Sequence, residues 1–285
     1  MSTFTRVLLA TDMSEQADKL TSCLFSLCPD TETEVVVAHA FDGDDDADPD
    51  GSNYKKILAR LEGYRNDITQ AGYEEVSITT ATGETTETIN KMAEERDADL
   101  VMVASHGKGF LQRAFEGSTT LELAEAAALP LFIYKNDKEE DNAKVGDLLG
   151  KVMIPTDFTK KSLEALNVVR SLREYVGSVL FVHVIENARN KLDYKEKYGS
   201  AMMFLKELVD EMKIFGIKAD FRIAKGVASK KIISISQKES IGLILLAKNG
   251  ADVHSGLELG STSENVVLKG TCSMILLPAE DNDDD

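Results

Sequence analysis

The sequence predicts an α/β protein of two tandem domains, each a parallel sheet with helices on both faces. Three observations carry this. Short apolar runs alternate with segments of helical spacing along the whole chain. The order of these segments repeats once, with matching marks 143 to 145 positions apart: Asp12/Asp157, His39/His183, Gly107/Gly250 and Gly117/Gly260. The runs themselves, such as VVVA and LILL, lack polar alternation, as strands buried on both faces do.

In the first half, residues 5–11 read as a strand ending at Asp12. Ser14 suits a helix cap before an amphipathic segment from Glu15 to Leu27, stopped near Pro29. Glu34 to Ala40 is a second strand. Residues 54–71 are helical by the spacing of Ile57, Leu58, Leu61 and Ile68, and Gly72 follows. Glu75 to Ala81 is a third strand, broken by Gly83. Thr85 to Arg96 is a helix, and Leu100 to Val103 is strand four. Residues 118–128 form a helix ended by Pro130, and Leu131 to Tyr134 is strand five.

The second half follows the same order. Lys151 to Thr156 is a strand ending at Asp157, and a helix from Thr159 or Ser162 runs to Tyr175. Ser178 to Val184 is the second strand, Leu192 to Phe215 a long helix, and Lys218 to Ala224 the third strand. Ser229 to Gln237 is helical, Leu243 to Leu246 is strand four, Ser263 to Leu268 is helical and Ser273 to Leu277 is strand five. The domains are placed at 1–136 and 150–279, with an acidic linker at 137–149 and an acidic tail at 280–285.

Composition narrows the function. The chain has 285 residues, 43% of them apolar, and a formal charge of −17. About −14 of that charge falls in residues 42–52, 136–150 and the tail, where like charges are solvated. No positive surface for nucleic acid is implied. No run of eighteen apolar residues and no leader pattern occur, so a soluble cytoplasmic protein is expected, away from membranes. Cys23, Cys28 and Cys272 form no C-x-x-C pair and read as structural thiols. The four histidines lack partners at metal spacing, so no metal site is expected; His39 and His183 read as strand-end rings bonded locally.

In parallel sheets the ligand crevice lies at the strands' C-terminal ends, where the winding reverses. The unusual residues fall there. Thr11-Asp12 and Thr156-Asp157 follow the first strands; each aspartate could accept bonds from a ribose or base, or cap the next helix. After each fourth strand comes a glycine box: Gly107, nine residues, then Gly117-Ser118-Thr119; and Gly250, nine residues, then Gly260-Ser261-Thr262. Glycine turns and helix starts present unpaired N–H groups, which suit phosphate. The box is neither a P-loop nor a G-x-G-x-x-G turn. No nucleophile elbow or carboxylate pair marks a catalytic site.

Both halves resemble the universal stress protein family over nearly the whole chain. The family pattern is Gly, two residues, Gly, nine residues, Gly-Ser/Thr. It reads here as Ala104-Ser105-His106-Gly107 through Gly117-Ser118, and Ala247-Lys248-Asn249-Gly250 through Gly260-Ser261. The first-strand T-D-x-S/T signature is Thr11 to Ser14 and Thr156 to Thr159, preceded by Ala10 and Pro155. The resemblance implies a Rossmann-like, adenine nucleotide alpha hydrolase-like fold with five strands in the order 3-2-1-4-5. It implies ATP, ADP or AMP, with or without Mg2+, held by the first-strand Asp, the backbone after the second-strand His (Ala40, Val184) and the glycine box. It also implies an internal pseudo-dimer through residues 131–134 and 274–277, or a homodimer.

Two departures bear on affinity. Ala104 and Ala247 stand where the family has its first glycine. Lys108 favours phosphate in the first domain, while Asp252 opposes it in the second. The expected function is a nucleotide-binding stress regulator without fast turnover. A weak ATPase drawing on Asp12, His106 and Lys108, and a nucleotide-free scaffold, are the alternatives.

Overall fold

A computed structural model of the chain describes residues 4–42, 48–105, 119–135, 147–250 and 259–278. The chain divides into two compact units, Met1–Glu139 and Glu140–Asp285.

Unit 1 contains β1 (Arg6–Ala10), a 3-10 turn (Ala17–Lys19), α1 (Leu20–Leu27), β2 (Glu34–Phe41), α2 (Ser52–Gln70), β3 (Val76–Thr82), α3 (Thr85–Glu95), β4 (Leu100–Ala104), α4 (Thr119–Ala126) and β5 (Leu131–Tyr134). The strands pair in parallel in the order β3-β2-β1-β4-β5. Unit 2 contains β6 (Val152–Pro155), α5 (Lys160–Leu163), α6 (Ala165–Ser171), β7 (Ser178–Ile185), α7 (Lys191–Ile214), β8 (Lys218–Lys225), α8 (Ala228–Lys238), β9 (Leu243–Ala247), α9 (Ser261–Lys269) and β10 (Ser273–Leu277). Its strands pair in parallel in the order β8-β7-β6-β9-β10. Each unit is therefore a Rossmann-like sheet of order 3-2-1-4-5. The winding reverses between β1 and β4, and again between β6 and β9, so each unit has one switch-point crevice.

The apolar runs become strands because both sheet faces are covered. Val35, Val36, Val37 and Ala38 in β2 are fully buried, as are Leu180 and Phe181 in β7. Helices supply the cover through one face each. Leu20, Cys23, Leu24 and Leu27 are buried on α1; Leu61, Tyr64 and Ile68 on α2; Leu205, Leu208 and Met212 on α7. The long helices stop alike. Gly72 (φ +105) and Gly216 (φ +77) take the left-handed position, and the next residue's N–H reaches back, Tyr73 to Ile68 and Ile217 to Met212. Cys23 and Cys28 are buried, Cys272 is half-buried, and none of the three is in a disulfide.

Some boundaries differ from the sequence reading. The helix expected from Glu15 begins with the 3-10 turn at Ala17 and becomes α-helical at Leu20. Ser14 still heads it, its Oγ accepting from Ala17 N at 3.1 Å. The helix expected to run to Tyr175 is two pieces, α5 and α6, meeting at Glu164 and ending at Ser171. Strands β2 and β7 continue one residue further than expected, to Phe41 and Ile185. α9 starts at Ser261 rather than Ser263, directly after Gly260.

Candidate functional site

Both units build the same turn where the first strand ends. Thr11 N donates to Ala38 O and Thr156 N to Val182 O, both at 2.9 Å, carrying the ladder one residue past the strand. The threonine hydroxyls then accept from the residue two ahead, Met13 N at 3.1 Å and Phe158 N at 3.0 Å. Asp12 Oδ1 accepts from Ser14 N at 3.0 Å; Asp157 Oδ1 accepts from Thr159 N at 3.1 Å and from its hydroxyl at 2.6 Å. These paired bonds hold the third residue left-handed, Met13 at φ 64 and Phe158 at φ 69. That conformation costs an L-residue about 1–2 kcal/mol. The result is a carboxylate fixed in direction and exposed above the sheet edge.

A histidine ties the second strand to this turn. His39 Nδ1 lies 2.8 Å from Thr11 O, and His183 Nδ1 lies 2.8 Å from Thr156 O. A carbonyl can only accept, so Nδ1 donates in both units. The local bonding expected of these two rings is what the structure has. Ala40 and Val184 lie inside β2 and β7, paired with Ala81 and Ala224. Ala38 and Val182 turn their carbonyls toward the first strand. Two residues further on, Ala40 and Val184 turn their backbone groups to the same side, past that strand's end.

In unit 2 the fourth strand closes the site. β9 ends at Ala247, and Lys248 N donates to Leu277 O at 2.8 Å. Gly260 N then returns to Lys248 O at 3.0 Å. The two glycines of the box are thus held together: a Cβ on Gly260 would lie 3.3 Å from Asn249 Cα and 3.7 Å from Gly250 N. A Cβ on Gly250 would lie 2.8 Å from Asp157 Oδ2, so the carboxylate tip reaches the box and would have to swing aside for a side chain there. Gly260 is the N-cap of α9 and offers no side chain to its first-turn amides. Ser261 and Thr262 open that helix, and Ser263 Oγ donates to Ala247 O at 2.8 Å.

In unit 1 the described part of the box is Ala104, the last residue of β4; Ser105, whose N donates to Tyr134 O at 2.9 Å; and Thr119, the first of α4. His106, Gly107, Lys108, Gly117 and Ser118 lie outside the described residues, as does Asp252 of unit 2. Ala10 and Pro155 are the last residues of β1 and β6.

The supports behind the two turns differ, and sequence reasoning missed them. In unit 1, Arg60 on α2 donates to Met13 O at 2.6 Å and to both Asp18 oxygens at 2.7 and 2.8 Å. The Tyr64 hydroxyl also donates to Asp18. Burial, then that bond, pushes the Tyr64 phenol above its ordinary pKa. In unit 2 the positions 144 or 145 further on hold Phe204, Leu163 and Leu208. There Phe158 stacks on His183 (centroids 4.5 Å, 29°) and tilts against Phe204 (5.2 Å). The offset of 144 that pairs His39 with His183 also pairs Arg60 with Phe204. A cleft of about 490 Å³ opens between the end of β7 and α7, with Phe158, His183 and Phe204 in its wall. Of the residues expected from sequence, Val184 lines it. Lys248, also unforeseen, is only 1% exposed.

Among the described residues, no group of three or more His, Cys, Asp or Glu could hold a metal ion, and no helix is long and apolar enough to cross a membrane.

Comparison with known proteins fits this geometry. The model of the universal stress protein family matches residues 3–135 and 149–278. A universal stress protein of Methanocaldococcus jannaschii is 24% identical over 144 residues, covering 46% of this chain and 83% of that protein. The crystal structure of a universal stress protein from Archaeoglobus fulgidus covers 98% of this chain and 97% of its own, at 20% identity and a TM-score of 0.71. A universal stress protein solved in complex with cAMP covers 47% of this chain and 98% of its own, at 18% identity and a TM-score of 0.39.

Proposed function

Because the chain belongs to the universal stress protein family, with two of its domains in tandem, we propose that it binds an adenine nucleotide at its switch points and acts as a regulator without fast turnover. One observation carries the reading. The first-strand carboxylate of unit 2 reaches the fourth-strand glycine: Asp157 Oδ2 stands 2.8 Å from where a Cβ on Gly250 would be. Asp157, with one oxygen already oriented by Thr159, suits a ribose hydroxyl or an amino group. The backbone of Val184 faces the adenine edge. The amides of Ser261 and Thr262, with no capping side chain from Gly260, suit phosphate oxygens, as an uncapped helix start does. In unit 1, Asp12, Ala40 and the box from Ala104 to Thr119 take the same roles, with Lys108 favouring triphosphate.

Isothermal titration of the full chain with ATP and AMP tests this. The expected result is binding well below 1 mM, with Asp157→Ala removing unit 2's share and Asp12→Ala unit 1's. Phosphate release is expected to stay far below the ~1 s⁻¹ of ordinary enzymes. Affinity no better than millimolar for either nucleotide rules the reading out.

A further inference from the structure

The cleft in unit 2 is lined differently from the matching positions of unit 1, and its chemistry runs against a polyanion. Its wall includes the stacked rings of Phe158 and His183 and the ring of Phe204, which is 50% exposed for so large an apolar group. Its rim carries three carboxylates, Glu186, Asp193 and Glu196, against one ammonium, Lys197. That ammonium is already engaged: Lys197 Nζ donates to Asn187 O at 2.6 Å and pairs with Asp193 at 3.6 Å. Asp193 also accepts from Arg189 N at 2.6 Å, and this bond holds its carboxyl below the usual range. Glu186 accepts from Ala228 N at 2.6 Å, which fixes it at the start of α8.

The matching positions of unit 1 carry the opposite character. Phe158, Ser200 and Phe204 correspond to Met13, Lys56 and Arg60, and Asp193 and Glu196 correspond to Pro49 and Ser52. Unit 1 has two cations and one acid, Asp42, where unit 2 has surplus carboxylates, and the rings of unit 1 there are His39 and Phe41 in place of Phe158, His183 and Phe204.

We propose that this cleft binds an organic cation, an ammonium group carried on an apolar body. Aromatic faces attract a cation through the ring quadrupole, and carboxylates at the rim supply the counter-charge. The volume, about 490 Å³, is that of a small-molecule site. The proposal does not depend on nucleotide binding at the switch point, although Val184 borders both places.

The test uses the full chain, choline as the cationic probe and 3,3-dimethylbutan-1-ol as its uncharged isostere, followed by chemical shifts of the unit 2 backbone. Choline is expected to bind at least ~5-fold more tightly than the alcohol, and to move resonances of Phe158, His183 and Phe204. Phe204→Ala and Glu196→Gln should each weaken choline several-fold; Glu196→Gln, at an exposed side chain, should leave the melting temperature unchanged, while Phe204→Ala also loses the ring's contact with Phe158. Equal binding of the two probes, or shifts that ignore these residues, overturns the proposal. So does mutual exclusion of choline and ATP, which would assign the cleft to the base of the nucleotide. Failure of ATP to bind at all, with choline still bound, defeats the nucleotide reading and leaves the cation site standing.

Discussion

Units 1 and 2 reach one backbone turn by two kinds of support. In unit 1 the turn leans on a polar cluster: Arg60 grips the Met13 carbonyl and Asp18, and the Tyr64 hydroxyl joins them. In unit 2 Leu163, Phe204 and Leu208 stand at the corresponding positions, and the turn leans on a ring, Phe158 against Phe204 and His183. The shared parts are the ones that aim the aspartate: the Thr and Asp side-chain bonds, the left-handed third residue and the histidine bond to the Thr carbonyl. What lies behind them was free to change. The two units should therefore fail under different stresses, one through charge and one through packing.

The largest difference should come from alkali. Burial, before any other cause, raises the phenols of Tyr64 and Tyr73 and the thiols of Cys23 and Cys28; Cys23 is pushed up to about 12. All four lie in unit 1. The folded state prefers each group protonated. Their contribution is therefore complete below the unfolded pKa values, about 8.5 for Cys and 10 for Tyr, and is lost as pH rises toward the folded values. The counterparts of Tyr64, Tyr73 and Cys23 are Leu208, Ile217 and Val168, which do not titrate. Each unit of pKa elevation is worth about 1.4 kcal/mol, so several buried groups add up to a large effect. Pulse proteolysis between pH 8 and 11, with fragments assigned by mass, should find unit 1 opening first. Tyr73→Phe combined with Cys23→Ala should flatten its pH slope. Parallel loss in both units would show that the polar support has no such liability.

The second effect tests whether the supports can be exchanged. Asp18→Leu leaves the Tyr64 hydroxyl, on a side chain only 6% exposed, without its acceptor, and should cost about 2 kcal/mol. The Arg60–Asp18 pair adds little to that figure, being about 40% exposed. The triple change Asp18→Leu, Arg60→Phe, Tyr64→Leu installs unit 2's residues and should recover to within about 1 kcal/mol of the parent, because a whole polar set replaced by apolar groups is far cheaper than a broken one. Urea unfolding with unchanged slope measures both. A triple variant as damaged as the single one would mean that the apolar support needs the rest of unit 2.

Much of this was legible in the sequence, for a definite reason. Strands buried on both faces write themselves as apolar runs, and a duplication writes every mark twice, so β1 to β10 and the paired Asp and His could be placed from the runs and offsets. Boundaries failed where side chains compete for backbone. Ser14 Oγ takes Ala17 N and delays the start of α1, and the break at Glu164 left no mark of composition. In the site, the aspartates and the glycine box could be named as candidates. The contact between Gly250 and Asp157 could not, because two strand ends 93 positions apart come together only once the crossovers are wound. The Arg60 and Phe204 supports were hidden similarly: each acts on a turn 46 or 47 residues away, and only the rotation of α2 or α7 decides which side chain reaches it.

The smallest effect isolates the ring itself. Met13 and Phe158 share a strained backbone, φ 64 and φ 69. Glycine relieves about 1–2 kcal/mol of that strain and gives back roughly 0.5–1 kcal/mol in chain entropy. In unit 1 the grip on this residue is through its carbonyl, which glycine retains, so Met13→Gly should leave stability unchanged or raise it by up to about 1.5 kcal/mol. In unit 2 the side chain is the grip. Phe158→Gly removes two aromatic contacts worth about 0.5–1.5 kcal/mol each, and the net result should be a loss of about 1 kcal/mol. Thermal melting of the two variants beside the parent decides it. Equal shifts would mean that the Phe158 ring merely covers the turn, and that both units hold their aspartates by backbone bonds alone.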